Sequence, residues 1–526
     1  MLKEHSDTAQ RDRMHKASEH LPLILSLAFG LQQVAACISS IIVIPFVVSS
    51  QLCAASQTYN IRSRLTSLAL IISGFSTIIQ TQLGMRLPLL QGPSYTFLPI
   101  VHTYLTRNQS NCNYIFTNNS LSNSEYEDKL AAIAGNLMAS SAIPLLAGAT
   151  GFVGAIRRFV GPITVATMLF LVMYSTTNIA IQYMSLHWFS LITRVGLQGQ
   201  LGTGMDMVQE GSPYHSGKYL IAFAFTWALC LLCTIADLTP ANSTVRLDRD
   251  GLFSKISNAQ WIFFPTLDSF GKRKFDAGLI VGCSVAAIST VIETIGTYYA
   301  AAEVSQEPIP PSHALNRGMI VEGIGTFLAG FFAVGSGICT FSGNVGIMEI
   351  TKIATRSMMV AAGLLLILIG FITKIAMIFA TIPDPLIGAV VATSSATVMG
   401  IALANLEQVD MSLTRNKTVL GWSLMAGIAI PKYIDEYPIK TGNEAIDEIV
   451  RGFMSLPMFV GPMFAFILDN TVSGASRKQR GFRDDEELTG NDSVYRFPKR
   501  VMRCLNRIPI VRSLPFIPGS ETSRGS

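Results

Sequence analysis

A carboxylate stands inside an apolar run: Glu293 lies within LIVGCSVAAISTVIETIGTYYAAAEV. An ionised acid is expensive in hydrocarbon and is there paired, protonated or facing water, so Glu293 is the first candidate for contact with a polar solute. The alternative is a structural acid bonded to a neighbouring helix. Thr297, four residues on, lies on the same helical face and can offer a hydroxyl to the same cavity. A second constellation reads Ser342, Gly343, Asn344, Val345, Gly346, followed by a helical run ending at Thr351 and Lys352. Glycine lets backbone approach a ligand closely, and Asn offers both donor and acceptor. A new helix N-terminus aims free N–H groups at anionic or carbonyl oxygens. A glycine-rich helix contact explains the same residues equally well.

The elements that position these residues lie in lipid. The 526 residues are 49% hydrophobic and 14% charged, with mean hydropathy +0.42, whereas soluble proteins carry about 25% charged residues. Apolar segments run over 22–50, 65–84, 87–104, 129–155, 159–182, 184–199 and 219–239. After a polar stretch they resume over 276–303, 317–336, 337–354, 357–382, 385–405, 418–431 and 450–468. A spanning helix needs roughly 20 apolar residues, so the chain holds about twelve to fourteen spans. The segments 184–199 and 418–431 are short for a full span.

Two segments, GMRLPLLQGPSYTFLP (84–99) and GSGICTFSGNVGIMEI (335–350), carry Gly, Pro, Ser and Asn within apolar surroundings. Each breaks a helix at membrane depth, which is tolerated only where protein or a wet cavity satisfies the freed backbone. They begin at similar offsets, about 62 and about 59 residues after the first span of each half, as internal repeats do. Seven spans per half make the repeat inverted; six would make it parallel.

With seven plus seven spans, both termini, Arg157 and Arg158, Arg317, Lys352 with Arg356, and Arg415 with Lys417 fall on the cytoplasmic side, as the positive-inside rule favours. Arg62, Arg64 and the cluster Lys272, Arg273, Lys274 fall outside. The net charge of +5 therefore concerns topology and not nucleic acid. The outer loop 105–128 holds two glycosylation sequons, at Asn108 and Asn118. Further sequons at Asn242, Asn416 and Asn491 carry less weight, because the pattern arises cheaply. Cys230 and Cys233 sit mid-span without His or carboxylate neighbours, so no metal site is expected. Neither H-E-x-x-H nor a Walker loop occurs, which argues against a membrane-embedded enzyme. Beyond about residue 470 the chain is a charged, solvated tail.

The run Asn344-x-Gly346-x-x-x-x-Thr351-Lys352 resembles the signature of the nucleobase-ascorbate transporter family. RLPLLQG (86–92), IETIG with YYA (292–300), HALNRG (313–318), PDPLIGA (383–389), NLEQVDMSLTRN (405–416) and FVGPMFAFILDNT (459–471) add to the likeness. It spans 20–475 and is nearest the sodium-dependent ascorbate branch.

The resemblance implies an all-α membrane protein of about 14 spans in two inverted seven-span repeats, with short strand-like breaks in spans 3 and 10. It implies a cytoplasmic tail (1–21), a core domain (22–155 and 276–382), a gate domain (156–239 and 383–470), an extracellular loop (240–275) and a C-terminal tail (471–526). Substrate would contact Glu293, Tyr95, Thr96, Ser342, Gly343 and Asn344. The implied protein is a cation-coupled transporter of nucleobase-like or ascorbate-like solutes, a homodimer in the plasma membrane with both termini cytoplasmic. It needs no cofactor beyond Na⁺ or H⁺ as coupling ion.

Three positions depart from the family. Gln32 and Gln33 stand where Gln-His is usual, Thr297 stands where the ascorbate branch has Asp, and Gly343 precedes the motif Asn. Thr297, Gln33 and the extra acid Glu349 are the candidates for cation coupling, although Glu349 can instead pair with Lys352 three residues on. The departures also admit a non-transporting or regulatory paralogue.

Overall fold

The computed structural model describes residues 14–52, 54, 57–107, 124–188, 190, 218–240, 243, 245–247, 252–265, 272–439, 441–482, 492–497, 501–503, 507 and 514–518. The chain opens with α1 (Leu23–Gln51) and α2 (Thr58–Gln82). Pro88 and Pro93 then bias the residues before them to extended backbone, and helix gives way to strand β1 (Gln91–Pro93). A single 3₁₀ turn (Tyr95–Phe97) leads into α3 (Leu98–Arg107). The first half continues through α4 (Ser124–Ser140), α5 (Ala142–Ala149), α6 (Phe152–Ile156), α7 (Pro162–Met184) and α8 (Lys218–Ile235), with α9 (Leu252–Asn258) in the polar stretch.

The second half has the same plan. It runs α10 (Ala277–Val304), α11 (Ser312–Phe331), β2 (Ile338–Thr340), α12 (Gly343–Thr351), α13 (Arg356–Phe371), α14 (Thr373–Ala380), α15 (Asp384–Glu407), α16 (Thr414–Glu436), α17 (Glu444–Met454) and α18 (Pro457–Thr471). Among the described residues six helices are long and apolar enough to cross a membrane: Leu23–Gln51, Thr58–Gln82, Glu125–Ala149, Pro162–Met184, Ala277–Val304 and Asp384–Glu407.

Several expected spans change shape. Segment 418–431 is no short element, because α16 has 23 residues, about 34 Å at 1.5 Å per residue. Segment 357–382 divides at Ile372, and 450–468 divides before Pro457. Most of 184–199, together with Asn108, Asn118, Asn242 and Asn491, lies outside the described residues.

The two broken segments meet. β1 pairs antiparallel with β2, Gln91 opposite Thr340, Gly92 opposite Cys339 and Pro93 opposite Ile338. Backbone bonds from Phe341 N to Leu90 O (2.9 Å) and from Ser94 N to Gly337 O (2.8 Å) extend the ribbon. An isolated two-stranded ribbon is marginal; this one packs against α2 and α11.

The main helix packing joins α2 to α13, α5 to α11, α7 to α15 and α16 to α18. Backbones come close where glycines meet: a Cβ on Gly74 would lie 2.4 Å from the Gly363 carbonyl. Small residues serve helix association in lipid in this way. Arg62, which the sequence places among the outside charges, is only 2% exposed. It donates to Asp384 Oδ1 (2.9 Å) and Ser49 Oγ (2.9 Å) and lies 4.2 Å over the Phe46 ring, tying α2 to α15.

The C-terminal tail is not merely solvated. Tyr495 is fully buried, its hydroxyl donates to Pro308 O (2.5 Å), and Arg317 Nη2 donates to Tyr495 O (2.6 Å).

Candidate substrate site

Glu293 projects from α10 toward the 3₁₀ turn that follows β1. Its Oε2 accepts a 3.0 Å hydrogen bond from Thr96 Oγ1, and Ser94 Oγ accepts from Thr96 N (3.2 Å), which fixes that turn. Beside it the Tyr95 hydroxyl is buried and makes no hydrogen bond of good geometry. The hydroxyls of Ser40 and Ser394, 3.4 Å from one another, interact with it.

On the other side stands the N-terminus of α12. A Cβ built on Gly343 or Gly346 meets nothing within 4 Å. No helix packs there, so the glycines are not a packing contact; they border open space. The Ser342 hydroxyl has no partner among the described residues. Asn344 is fully buried, and its carboxamide is taken up by the first broken segment. Its Oδ1 accepts from Leu90 N (3.4 Å) and its Nδ2 donates to Pro88 O (3.3 Å). Asn344 thus holds the two breaks together, with Glu293 bonded to Thr96 at the first break and Ser342 and Gly343 opening the helix of the second. Thr351 Oγ1 donates to Ile347 O (2.9 Å), and Lys352 ends the helix in the left-handed region at φ 56°.

The cation candidates are scattered. Thr297 Oγ1 donates to the Glu293 carbonyl (3.1 Å), so its hydroxyl is occupied by its own helix. Glu349 is exposed and forms no ion pair with Lys352. Gln33 on α1 is 1% exposed, and its Oε1 has no hydrogen-bond partner among the described residues.

A second acid, Glu322 on α11, did not figure in the sequence reading. It is 2% exposed and accepts from Thr294 Oγ1 (2.7 Å), Tyr298 OH (3.0 Å) and Thr340 Oγ1. Gln80 Nε2 donates to Tyr298 OH, and Gln91 Nε2 donates to Thr340 Oγ1 (2.6 Å). This network links α2, α10 and α11 to both strands. The signal that marked Glu293, a carboxylate within an apolar run, was equally present in GMIVEGIGTFLAGFF.

An apolar helical chain whose two interrupted helices cross beside a buried acid has the layout of a membrane permease. The sequence matches the model of the Permease family over residues 25–436, and the chain belongs to that family. More narrowly, it is a member of the nucleobase-ascorbate transporters, which are transporters and not enzymes. It is 30% identical to solute carrier family 23 member 2 of Rattus norvegicus, over 96% of this chain and 83% of that protein. Identity to solute carrier family 23 member 1 of Mus musculus is 31%, over 96% and 89%. Nucleobase-ascorbate transporter 5 of Arabidopsis thaliana is 26% identical, over 80% of this chain and 81% of the other.

Proposed function

We propose that this chain is a secondary active transporter of an ascorbate-like or nucleobase-like solute, working by alternating access with Glu293 as the central substrate contact. The observation that carries this reading is the Glu293 carboxylate bonded to Thr96 at one break, which the strand pair joins to a second break with open space at Gly343 and Gly346. Supporting the inverted repeat, the main packing pairs map onto each other when the halves are exchanged: α2 with α13 becomes α11 with α4 and α5. Phe341 sits over Gly92, as Phe97 sits over Gly337. Fourteen spans, a core sliding against a gate, a homodimer, a plasma-membrane location and cytoplasmic termini belong to the same reading.

A narrow cleft runs between α10 and the start of α7, lined by Gly296, Ala300, Arg157, Arg158 and Arg477. In this reading it is an access route, and its guanidinium groups favour anionic solutes.

The test is uptake of labelled ascorbate, xanthine, urate and uracil in cells lacking endogenous carriers, in sodium and in choline medium at two pH values. An anionic solute is expected to accumulate, and no uptake of any of them would favour the non-transporting paralogue. Sodium dependence is expected to be weak, since Thr297 brings no charge to offset the desolvation of the ion. Thr297→Asp should then strengthen it. Strong, saturable sodium dependence in the unmodified protein contradicts the weakened site, whereas sodium-independent uptake rising on acidification assigns the coupling to protons.

Orientation has its own check. Loop 105–128 faces outward in this reading, so Asn108→Gln with Asn118→Gln should raise gel mobility in glycosylating cells, as glycosidase should for the unmodified chain. Unchanged mobility under both treatments removes the support for that orientation.

A further inference from the structure

Both described tails lie at one end of the helices, and that end holds a second cleft, of about 540 Å³, between the chain leading into α1 and the start of α13. Arg86 and Arg356 meet in it. Arg86 is 8% exposed and is held in the left-handed region at φ 65°, which side chains rarely adopt. Its Nη1 donates to Gln82 O (3.0 Å) and its Nε to Val494 O (3.3 Å). Arg356 Nε donates to Ala17 O (2.9 Å).

Neither guanidinium forms an ion pair with a described carboxylate, and the two repel one another. Glu19, the one carboxylate lining the cleft, accepts from His15 Nδ1 (2.9 Å). Glu307, close behind, accepts from Ala17 N (3.2 Å). Glu307 attracts Arg356 from beyond ion-pair distance, so the two crowded, largely buried like charges are only partly compensated.

The other wall of the cleft is apolar and outward-facing. Leu23 is 74% exposed, Leu27 40% and Leu364 55%. In this chain such leucines face acyl chains. The cleft therefore joins a cationic recess to a leucine strip at the edge of the membrane.

We propose that this cleft binds an anionic glycerophospholipid, with its phosphate between Arg86 and Arg356 and an acyl chain along Leu23, Leu27 and Leu364. Guanidinium forks match phosphate oxygens bidentately, and the phosphate adds negative charge within reach of both guanidinium groups. A free phosphate would use the arginines but leave the leucine strip unoccupied. Anionic lipids are concentrated in the cytoplasmic leaflet, the leaflet at this end in the orientation proposed above.

The experiment uses the purified, delipidated full chain in detergent. Its Tm is followed against added phosphatidylglycerol, phosphatidylcholine or glycerol phosphate. Phosphatidylglycerol should raise Tm at a half-saturating concentration at least fivefold below that of phosphatidylcholine. R86Q/R356Q should abolish this preference and leave the phosphatidylcholine response unchanged. Equal responses to the two lipids, a preference surviving in the double variant, or an equal shift from glycerol phosphate at the same concentration overturns the proposal. If the double variant does not fold, L23S/L27S/L364S retains both arginines and should weaken the phosphatidylglycerol response at least fivefold; an unchanged response also overturns the proposal. The readout is independent of transport.

Discussion

Glu293→Gln is expected to abolish uptake while the protein reaches the cell surface in normal amount. The amide has nearly the same shape and keeps an oxygen for Thr96 Oγ1, now 3.0 Å from the carboxylate, so the turn after β1 should stand. What disappears is the negative charge and one acceptor, and an unwanted donor takes their place. A hydrogen bond to a charged group contributes about 1.5–3 kcal/mol, which corresponds to roughly 10- to 150-fold in affinity. Any further loss in the translocation step adds to this. Uptake and surface biotinylation should be measured on the same cells. Full transport by the variant would remove Glu293 from the site, and disappearance from the surface would make it a structural acid. Thr96→Val provides a graded comparison, with reduced uptake, because it frees one carboxylate lone pair without removing charge.

The other large effect is expected at Glu322. Glu322→Leu should remove the protein from the surface and leave little uptake. Three buried hydroxyls, those of Thr294, Tyr298 and Thr340, donate to this carboxylate, and leucine accepts from none of them. At about 1–3 kcal/mol for each orphaned group, the loss approaches the 5–15 kcal/mol that separates folded from unfolded states in typical proteins. The damage reaches the crossing directly, because Thr340 is a residue of β2 and also accepts from Gln91 in β1. Glu322→Gln retains one acceptor oxygen and should reach the surface in reduced amount. Size-exclusion profiles and Tm in detergent are the appropriate measurements. A Glu322→Leu protein that is monodisperse and melts within about 2 °C of the parent would show that the network does not support the fold.

Much of the site was legible in sequence because its signals are local. Glu293 stands out since charge in an apolar run is costly wherever the run folds. The breaks at 84–99 and 335–350 stand out since proline and glycine act on their own backbone. Asn344 was legible as important but not in its use: its carboxamide joins Pro88 and Leu90 from the other half. Thr297 sits on the expected helical face, yet its hydroxyl turns back to the carbonyl four residues earlier. This is a rotamer choice on which spacing is silent.

The sequence by itself determined that the chain lives in a membrane, where its helices break, that an acid stands within an apolar run and to which family the chain belongs. Each of these follows from composition, short-range backbone preference or an ordered set of motifs. Only the tertiary structure decided that β1 and β2 pair in one register, that the space at Gly343 and Gly346 is open, and that Glu322 gathers three hydroxyls from two elements. Tertiary structure likewise brought Arg62 to Asp384 and Arg86 near Arg356. The physical reason is that these outcomes rest on contacts between residues far apart in the chain, where the energy belongs to the pair and no local preference in either segment encodes it.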